Sequence, residues 1–107
     1  MLSLLKKPNN NKTENERIRD ARELFSSGQF PVVTTKEMPQ KQVKRIIGLA
    51  AFRAYDMEQA FYGMITRAVS NGANAIVGYQ ENAAFHPDGS KYISCYGTAV
   101  RLRDTKQ

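Results

Sequence analysis

The chain of 107 residues has room for one domain with one modest hydrophobic core, so association would help to stabilise it. Its hydrophobic content of 41% excludes a wholly disordered chain, and its single cysteine, Cys95, excludes an intrachain disulfide. The formal net charge of +6 makes this a basic protein and suits an acidic partner such as nucleic acid, a membrane surface or another protein. Because the basic residues are spread along the whole chain, the charge alone points to none of these partners.

The short apolar runs disfavour membrane insertion, and the order of residues at the start of the chain disfavours secretion. No apolar run approaches the roughly 20 residues that span a bilayer. Residues 1–7 place their apolar side chains before two lysines, which is the reverse of the order in a signal peptide. We therefore expect a cytoplasmic protein with a reduced cysteine and no membrane span.

A short helix is predicted after a flexible N-terminal arm of residues 1–12. Thr13 and Glu16 have the spacing of a capping box, which predicts a helix over residues 13–28 that ends at Gly28. The apolar stripe of this helix is thin, so we expect the helix to dock on a larger element. The stripe consists of Ile18, Ala21, Leu24 and Phe25.

Two β-rich segments follow this helix. Residues 30–35 predict a short extra strand, and Pro31 places it at a sheet edge or at a strand start because proline cannot donate to a ladder. Residues 43–54 predict a longer strand, in which Gly48 marks a bulge or a close backbone approach.

The main helix is predicted to begin at Asp56, with Gln59 in capping-box spacing, and to end at Gly72. Its apolar side chains recur at the helical period, so this helix must cover a sheet. We interpret Met57 and Met64 as core residues of this stripe. Its other members are Ala60, Phe61, Ile65, Ala68 and Val69.

A β-hairpin follows the main helix. Residues 75–85 and 91–103 predict its strands, and the Pro-Asp-Gly sequence at residues 87–89 has the chemistry of a turn. With the turn centred there, Glu81 lies near Cys95 on the opposite strand. We assign structural roles, in turning the chain or in permitting close packing, to Gly72, Gly78, Gly89 and Gly97.

The order strand, helix, strand, strand predicts an α+β domain over residues 30–104. A helix between two strands forms a crossover, and the third strand can then lie antiparallel between them. The expected fold is a two-layer β-α-β-β arrangement, in which the main helix covers one face of a three-stranded antiparallel sheet. The uncovered second face and the unpaired sheet edges predict self-association.

Residues 72–78 (Gly-Ala-Asn-Ala-Ile-Val-Gly) and 97–100 (Gly-Thr-Ala-Val) resemble the YbjQ-like family, also called the putative heavy-metal-binding domain. Residues 33–35 and 46–49 fit the same order, so the similarity covers residues 30–103. The resemblance implies a dodecin-like subunit, a homo-oligomeric ring that is a pentamer, and a function that is not assigned. The chain lacks the family's Gly-Gly-Arg element between the strand and the main helix, which leaves the ring size open.

Heavy-metal binding needs soft ligands, and the chain has one histidine and one cysteine. At about 3.3 Å per residue along the hairpin, His86 and Cys95 would lie more than roughly 10 Å apart, which is too far for one ion in one chain. A metal site would need several subunits, for instance a ring of Cys95 thiols. We favour Cys95 as a small core residue and His86 as an exposed turn residue, and we assign no metal site and no cofactor.

Enzyme activity is not predicted, because the chain lacks a nucleophile with a base and lacks paired carboxylates. Among the acidic residues, Glu81 falls within the hairpin, where its charge would raise the pKa of the Cys95 thiol and discourage a nucleophile. No glycine pattern of a nucleotide-binding loop is present. We therefore assign no catalytic residue.

Nucleic-acid binding and self-association compete for the same predicted surface. Tyr92 and Tyr96 alternate along one face of the last strand, and Arg101 and Arg103 lie at its end. Aromatic side chains on an open sheet beside basic residues can stack nucleobases, but tyrosine is also favoured in subunit interfaces. We favour the interface. Further basic residues flank the earlier strand, namely Lys41, Lys44, Arg45 and Arg53.

The sequence thus predicts a non-enzymatic, oligomeric binding or scaffold domain. The first alternative is a metal-ion or small-ligand site at a subunit interface. The second is nucleic-acid binding through the basic, tyrosine-bearing face of the sheet.

Overall fold

The computed structural model describes residues 13–104, so the predicted N-terminal arm lies outside the described residues. The fold is α+β, as predicted, and the three strands form one antiparallel sheet in the order β1-β3-β2. Within residues 13–104, no helix is long and apolar enough to cross a membrane. The elements are α1 (Glu14–Ser26), β1 (Lys41–Ala54), α2 (Met57–Ser70), β2 (Ala75–Phe85) and β3 (Lys91–Asp104).

Helix α1 begins with the predicted capping box. The Thr13 hydroxyl accepts a hydrogen bond from the Glu16 N–H at 3.1 Å, and the Glu16 carboxylate accepts one from the Thr13 N–H at 3.0 Å. These two bonds satisfy backbone donors that the first helical turn leaves free. The helix docks on α2, as its thin apolar stripe predicted, through the Phe25 ring, whose centroid lies 5.0 Å from that of Phe61.

Helix α2 covers one face of the sheet, which we call the covered face. Asp56 caps the helix by accepting a hydrogen bond from the Gln59 N–H at 2.8 Å. A Cβ atom at Gly63 would clash with the Phe52 ring, so this glycine lets the helix approach the sheet closely. The fully buried members of the helix are Ala60, Met64, Ile65 and Ala68.

The predicted apolar stripe of α2 is too long at both ends. Met64 is buried as expected, but Met57 and Val69 are each 39% exposed. Met57 occupies the first turn of the helix and Val69 its last turn. The core interpretation is therefore confirmed for Met64 and wrong for Met57.

Two irregularities shape β1. Its pairing with β3 shifts between Val43 and Arg45 and again between Ile46 and Gly48. Gly48 has a φ of 143°, and the bulge predicted at this glycine is confirmed.

The hairpin has the predicted register, with Glu81 opposite Cys95 and Phe85 opposite Lys91. Its turn is closed by the His86 N–H, which donates to the Ser90 carbonyl at 2.8 Å. The Asp88 carboxylate accepts a hydrogen bond from the Ser90 N–H at 3.0 Å, and the backbone of the next residue in the turn has positive φ. Proline, aspartate and glycine thus have the turn roles that residues 87–89 predict.

Residues 31–35 run beside the first half of β2, where an extra strand was predicted. The regular strand is reduced to a single parallel bridge between Val32 and Ile76, because Pro31 offers only its carbonyl to the ladder. Four backbone hydrogen bonds still join this segment to β2, so it covers that part of the outer edge. Among residues 13–104, no strand pairs with the outer edge of β1.

Candidate functional site

The face of the sheet opposite α2, which we call the open face, carries three exposed apolar side chains of β1. Ile46 lies opposite Val100 in the register and is 69% exposed, and Leu49 is 77% exposed. Val43 lies further along the same strand and is 40% exposed. We call Val43, Ile46 and Leu49 the β1 patch. Its side chains expose apolar surface on an edge strand whose outer edge pairs with no other strand of residues 13–104.

The β1 patch depends on the second bulge of the strand. In a regular strand, residues separated by an even number of positions lie on the same face of the sheet. The shift between Ile46 and Gly48 inserts one extra residue into β1, so residues separated by an odd number of positions across it share a face. Ile46 and Leu49, three positions apart, therefore share the open face. Ile47, between them, packs against the core.

The far end of the open face is covered by the chain itself. Val33 and Met38 pack against a small apolar cluster whose buried members come from β2 and β3. The expectation of a wholly uncovered second face is therefore wrong at this end. The buried members are Ala75, Val77, Val100 and Leu102.

Tyr92 and Tyr96 lie on the open face, but both side chains make contacts within the chain. The Tyr96 hydroxyl donates to the Gln80 side chain at 3.1 Å. The Arg53 guanidinium lies 4.9 Å from the centroid of the Tyr92 ring, in a cation–π arrangement. Both tyrosines are half-buried.

The arginines predicted to accompany these tyrosines lie elsewhere. Arg101 pairs with Arg45 in the register, and its guanidinium donates to the Gly72 carbonyl at the end of α2, at 3.4 Å. Arg103 donates to the Gln42 side chain at 3.3 Å. Neither arginine therefore joins the tyrosines in one basic aromatic patch.

A different basic aromatic cluster forms at the turn end of the hairpin. The His86 ring lies 4.5 Å from Tyr92 and 6.0 Å from Tyr55, and Arg53 covers Tyr92 from the neighbouring strand. His86 is half-buried by these contacts, so the expectation of an exposed turn residue is wrong.

Cys95 lies on the covered face, where its side chain is fully buried beside Ala99. Burial raises the pKa of the Cys95 thiol, the Glu81 charge raises it further, and the Tyr79 hydroxyl partly offsets them. The thiol is therefore held neutral, in a state that neither attacks a substrate nor binds a metal well. Within residues 13–104, no three His, Cys, Asp or Glu side chains lie close enough to hold a metal ion.

Sequence reasoning missed the contacts of Tyr79. The pairing of β2 with β3 shifts between Val77 and Gln80, which brings the Tyr79 side chain to the covered face. Its hydroxyl lies 2.6 Å from the Glu81 carboxylate and 3.2 Å from the Cys95 sulfur. The signal available in the sequence was Gly78, which takes a φ of 65° at this bulge.

A comparison with protein-family models agrees with the resemblance expected from the sequence. A YbjQ-type family model, described as "Putative heavy-metal-binding", matches residues 54–103, which hold α2 and the hairpin. The chain is also similar to the crystal structure of a DUF74-family protein of unknown function from Pediococcus pentosaceus, with 14% identity and a TM-score of 0.46. That similarity covers 67% of this chain and 96% of the other. No curated protein matches the chain.

Proposed function

We propose that this YbjQ-like chain is a non-enzymatic, self-associating binding or scaffold domain whose copies meet through β1. The observation that carries the proposal is the β1 patch, with Ile46 and Leu49 exposed on an edge strand whose outer edge pairs with no other strand of residues 13–104. Exposed edge strands with apolar side chains tend to pair with another chain. The first half of the outer edge of β2 is already covered by residues 31–35, so β1 is the longer free edge.

The apolar side chains alone would give only weak association. Full burial of Ile46 and Leu49 would contribute about 1.5–3 kcal/mol for each side chain in each copy. The loss of translational and rotational freedom costs about 4–15 kcal/mol, which is of similar size. Backbone pairing along β1 must therefore add to the contact, and the outer edge of the 14-residue strand supplies its donors and acceptors.

A second copy of this chain is the occupant we propose for β1. A small domain whose helices cover only one face of its sheet gains most by burying its second face in an assembly. Two copies that join their β1 edges form a closed pair, whereas the ring of five that the resemblance implies requires β1 to meet a different surface of its neighbour.

Native mass spectrometry of Ile46→Lys and Leu49→Lys, beside the wild-type protein, tests this function. We expect an oligomer for the wild type and monomers for both variants, because a buried lysine at the contact would leave an unpaired charge. Phe85→Lys is the matched control, since Phe85 is 69% exposed but lies outside the β1 patch. A monomeric wild-type protein would overturn the proposal, as would oligomers that persist in both β1 variants.

Nucleic-acid binding is a second candidate, which the cluster of Arg53, Tyr55, His86 and Tyr92 favours. Arginine and aromatic rings together stack nucleobases without sequence preference. This function predicts that the affinity for a single-stranded oligonucleotide falls steeply with salt. Tyr92→Ala should then weaken binding by about 1–3 kcal/mol for each stacked base and leave the subunit number unchanged. A loss of subunits in Tyr92→Ala would instead place Tyr92 at the contact between copies.

A further inference from the structure

A small pocket opens between the first turns of α2 and the middle of β2. Its volume is about 250 Å³, and it lies on the covered face of the sheet, away from the β1 patch. Its lining combines aromatic rings and a thioether with two carboxylates. The lining residues are Met57, Glu58, Phe61, Tyr62, Tyr79 and Glu81.

The aromatic rings of this pocket stand at nearly right angles to one another. The Phe61 and Tyr79 centroids are 5.4 Å apart with an interplanar angle of 89°, and those of Phe61 and Tyr62 are 5.2 Å apart at 76°. Phe25 supports Phe61 from α1 at 5.0 Å. Perpendicular rings at these distances pack edge to face and are in direct contact, so they form one continuous aromatic wall of the pocket.

Glu81 supplies a carboxylate to the lining of the pocket. Among residues 13–104, no basic side chain forms an ion pair with Glu81. Its position is fixed by the Tyr79 hydroxyl, which has one proton and donates it to the carboxylate at 2.6 Å. The same hydroxyl lies 3.2 Å from the Cys95 sulfur, which is a second acceptor for it. The Glu81 carboxylate is thus held in place at the lining of the pocket.

The chain itself shows how a cation binds beside this pocket. The Arg22 guanidinium pairs with Glu58 at 2.9 Å and lies 5.4 Å from the centroid of the Tyr62 ring. The Glu58 carboxylate and the Tyr62 ring therefore already bind one cation, the Arg22 guanidinium of α1. Because Arg22 neutralises Glu58, the charge that remains for a ligand is that of Glu81.

From these contacts we infer that the pocket binds a small organic cation, an ammonium group with apolar substituents. The substituents would lie against the aromatic wall that Phe61 and Tyr79 form, and the charge would lie beside the Glu81 carboxylate. The positive end of the α2 helix does not oppose this, since Asp56 caps it and Glu58 lies in its first turn. The site is separate from the proposed contact between copies, so each inference can fail without the other.

Titration with choline, followed by the amide resonances of the ¹⁵N-labelled protein, tests this site. Choline carries a quaternary ammonium, and its neutral carbon isostere has the same shape without the charge. We expect choline to shift the resonances of β2 near Tyr79 and of the first turn of α2, with a dissociation constant in about the millimolar range. The isostere should bind about tenfold more weakly because it lacks the charge.

Glu81→Gln should weaken choline binding about fivefold, which is the upper range for one partly exposed charge pair. Glu37→Gln is the matched control, because Glu37 is an exposed acid outside the pocket, and it should bind choline like the wild type. Equal binding of choline and its isostere would overturn the inference, since the pocket would then recognise only apolar shape. An absence of shifts, or choline binding that is unchanged in Glu81→Gln, would also overturn it.

Discussion

The two faces of the sheet differ in how completely one chain fills them. On the covered face, Met64, Ile65 and Cys95 are fully buried, and Gly63 allows the Phe52 ring to pack against the helix. On the open face, residues 33–38 cover only one end, and the β1 patch stays exposed. The covered face is thus complete within the monomer, whereas the open face offers its surface to a partner.

This difference separates residues that hold the fold from residues that are free for association. Because protein interiors are densely packed, the truncation of a single core side chain measurably lowers the free energy of unfolding. Exposed apolar side chains contribute little to the stability of the isolated chain but contribute much when a second surface covers them. Substitutions on the two faces should therefore change different measured quantities.

The largest effect is expected for Met64→Ala on the covered face. Met64 is fully buried, so its truncation should lower the free energy of unfolding by about 2–5 kcal/mol through lost burial and a residual cavity. Urea denaturation in the background of Ile46→Lys, which we expect to be monomeric, measures this loss without a contribution from the contact between copies. Leu49→Ala is the matched variant on the open face and should cost the monomer less than about 0.5 kcal/mol. If both variants lost the same free energy of unfolding, the claim that only the covered face stabilises the monomer would be contradicted.

A second effect is expected at Gly97 in the central strand. A Cβ atom there would lie 2.6 Å from the Ile76 side chain and 3.2 Å from the Val77 carbonyl. Gly97→Ala should therefore lower the free energy of unfolding by about 1–3 kcal/mol through overpacking. Thermal unfolding measures it, with Ser94→Ala on the open face of the same strand as the control. If Gly97→Ala were as stable as the control, β2 and β3 could move apart to admit a methyl group without a loss in the free energy of unfolding.

A smaller effect is expected from the buried thiol as the pH rises. Burial raises the pKa of Cys95, so the folded state keeps its proton at a pH where the unfolded chain has lost it. The stability contributed by the neutral thiol is therefore full below the ordinary thiol pKa and falls as the pH rises above it. Between roughly pH 7.5 and 9.5 we expect a loss in the free energy of unfolding that Cys95→Ala lacks. Urea denaturation of both proteins at the two pH values measures the difference, and parallel pH dependences would contradict this account.

Much of the fold could be predicted because the capping and turn residues mark the same element boundaries as the spacing of the apolar residues. The capping box at Thr13, the cap at Asp56 and the turn at residues 87–89 each fix one end of an element. The turn also fixes the register, which is why the position of Glu81 opposite Cys95 could be read from the sequence. The domain limits and the cytoplasmic location remain predictions.

The surfaces that could carry function were harder to predict, because bulges decide them. The bulge before Gly48 places Ile46 and Leu49 together on the open face, and the bulge at Gly78 turns Tyr79 towards Cys95. Simple alternation assigns these side chains to the wrong faces. The pocket near Tyr79 also needs a contact between α2 and β2, which no local pattern encodes.

Hydrogen–deuterium exchange at two protein concentrations tests the central claim most directly. Pairing of β1 with another copy should protect the outward-facing amides of residues 41–54 at about 100 μM and lose that protection at about 1 μM. The amides of β3, which is paired on both sides within the chain, should exchange at the same rate at both concentrations. Exchange of β1 that does not depend on concentration, in a protein that is nevertheless oligomeric, would contradict the account because another surface would then join the copies.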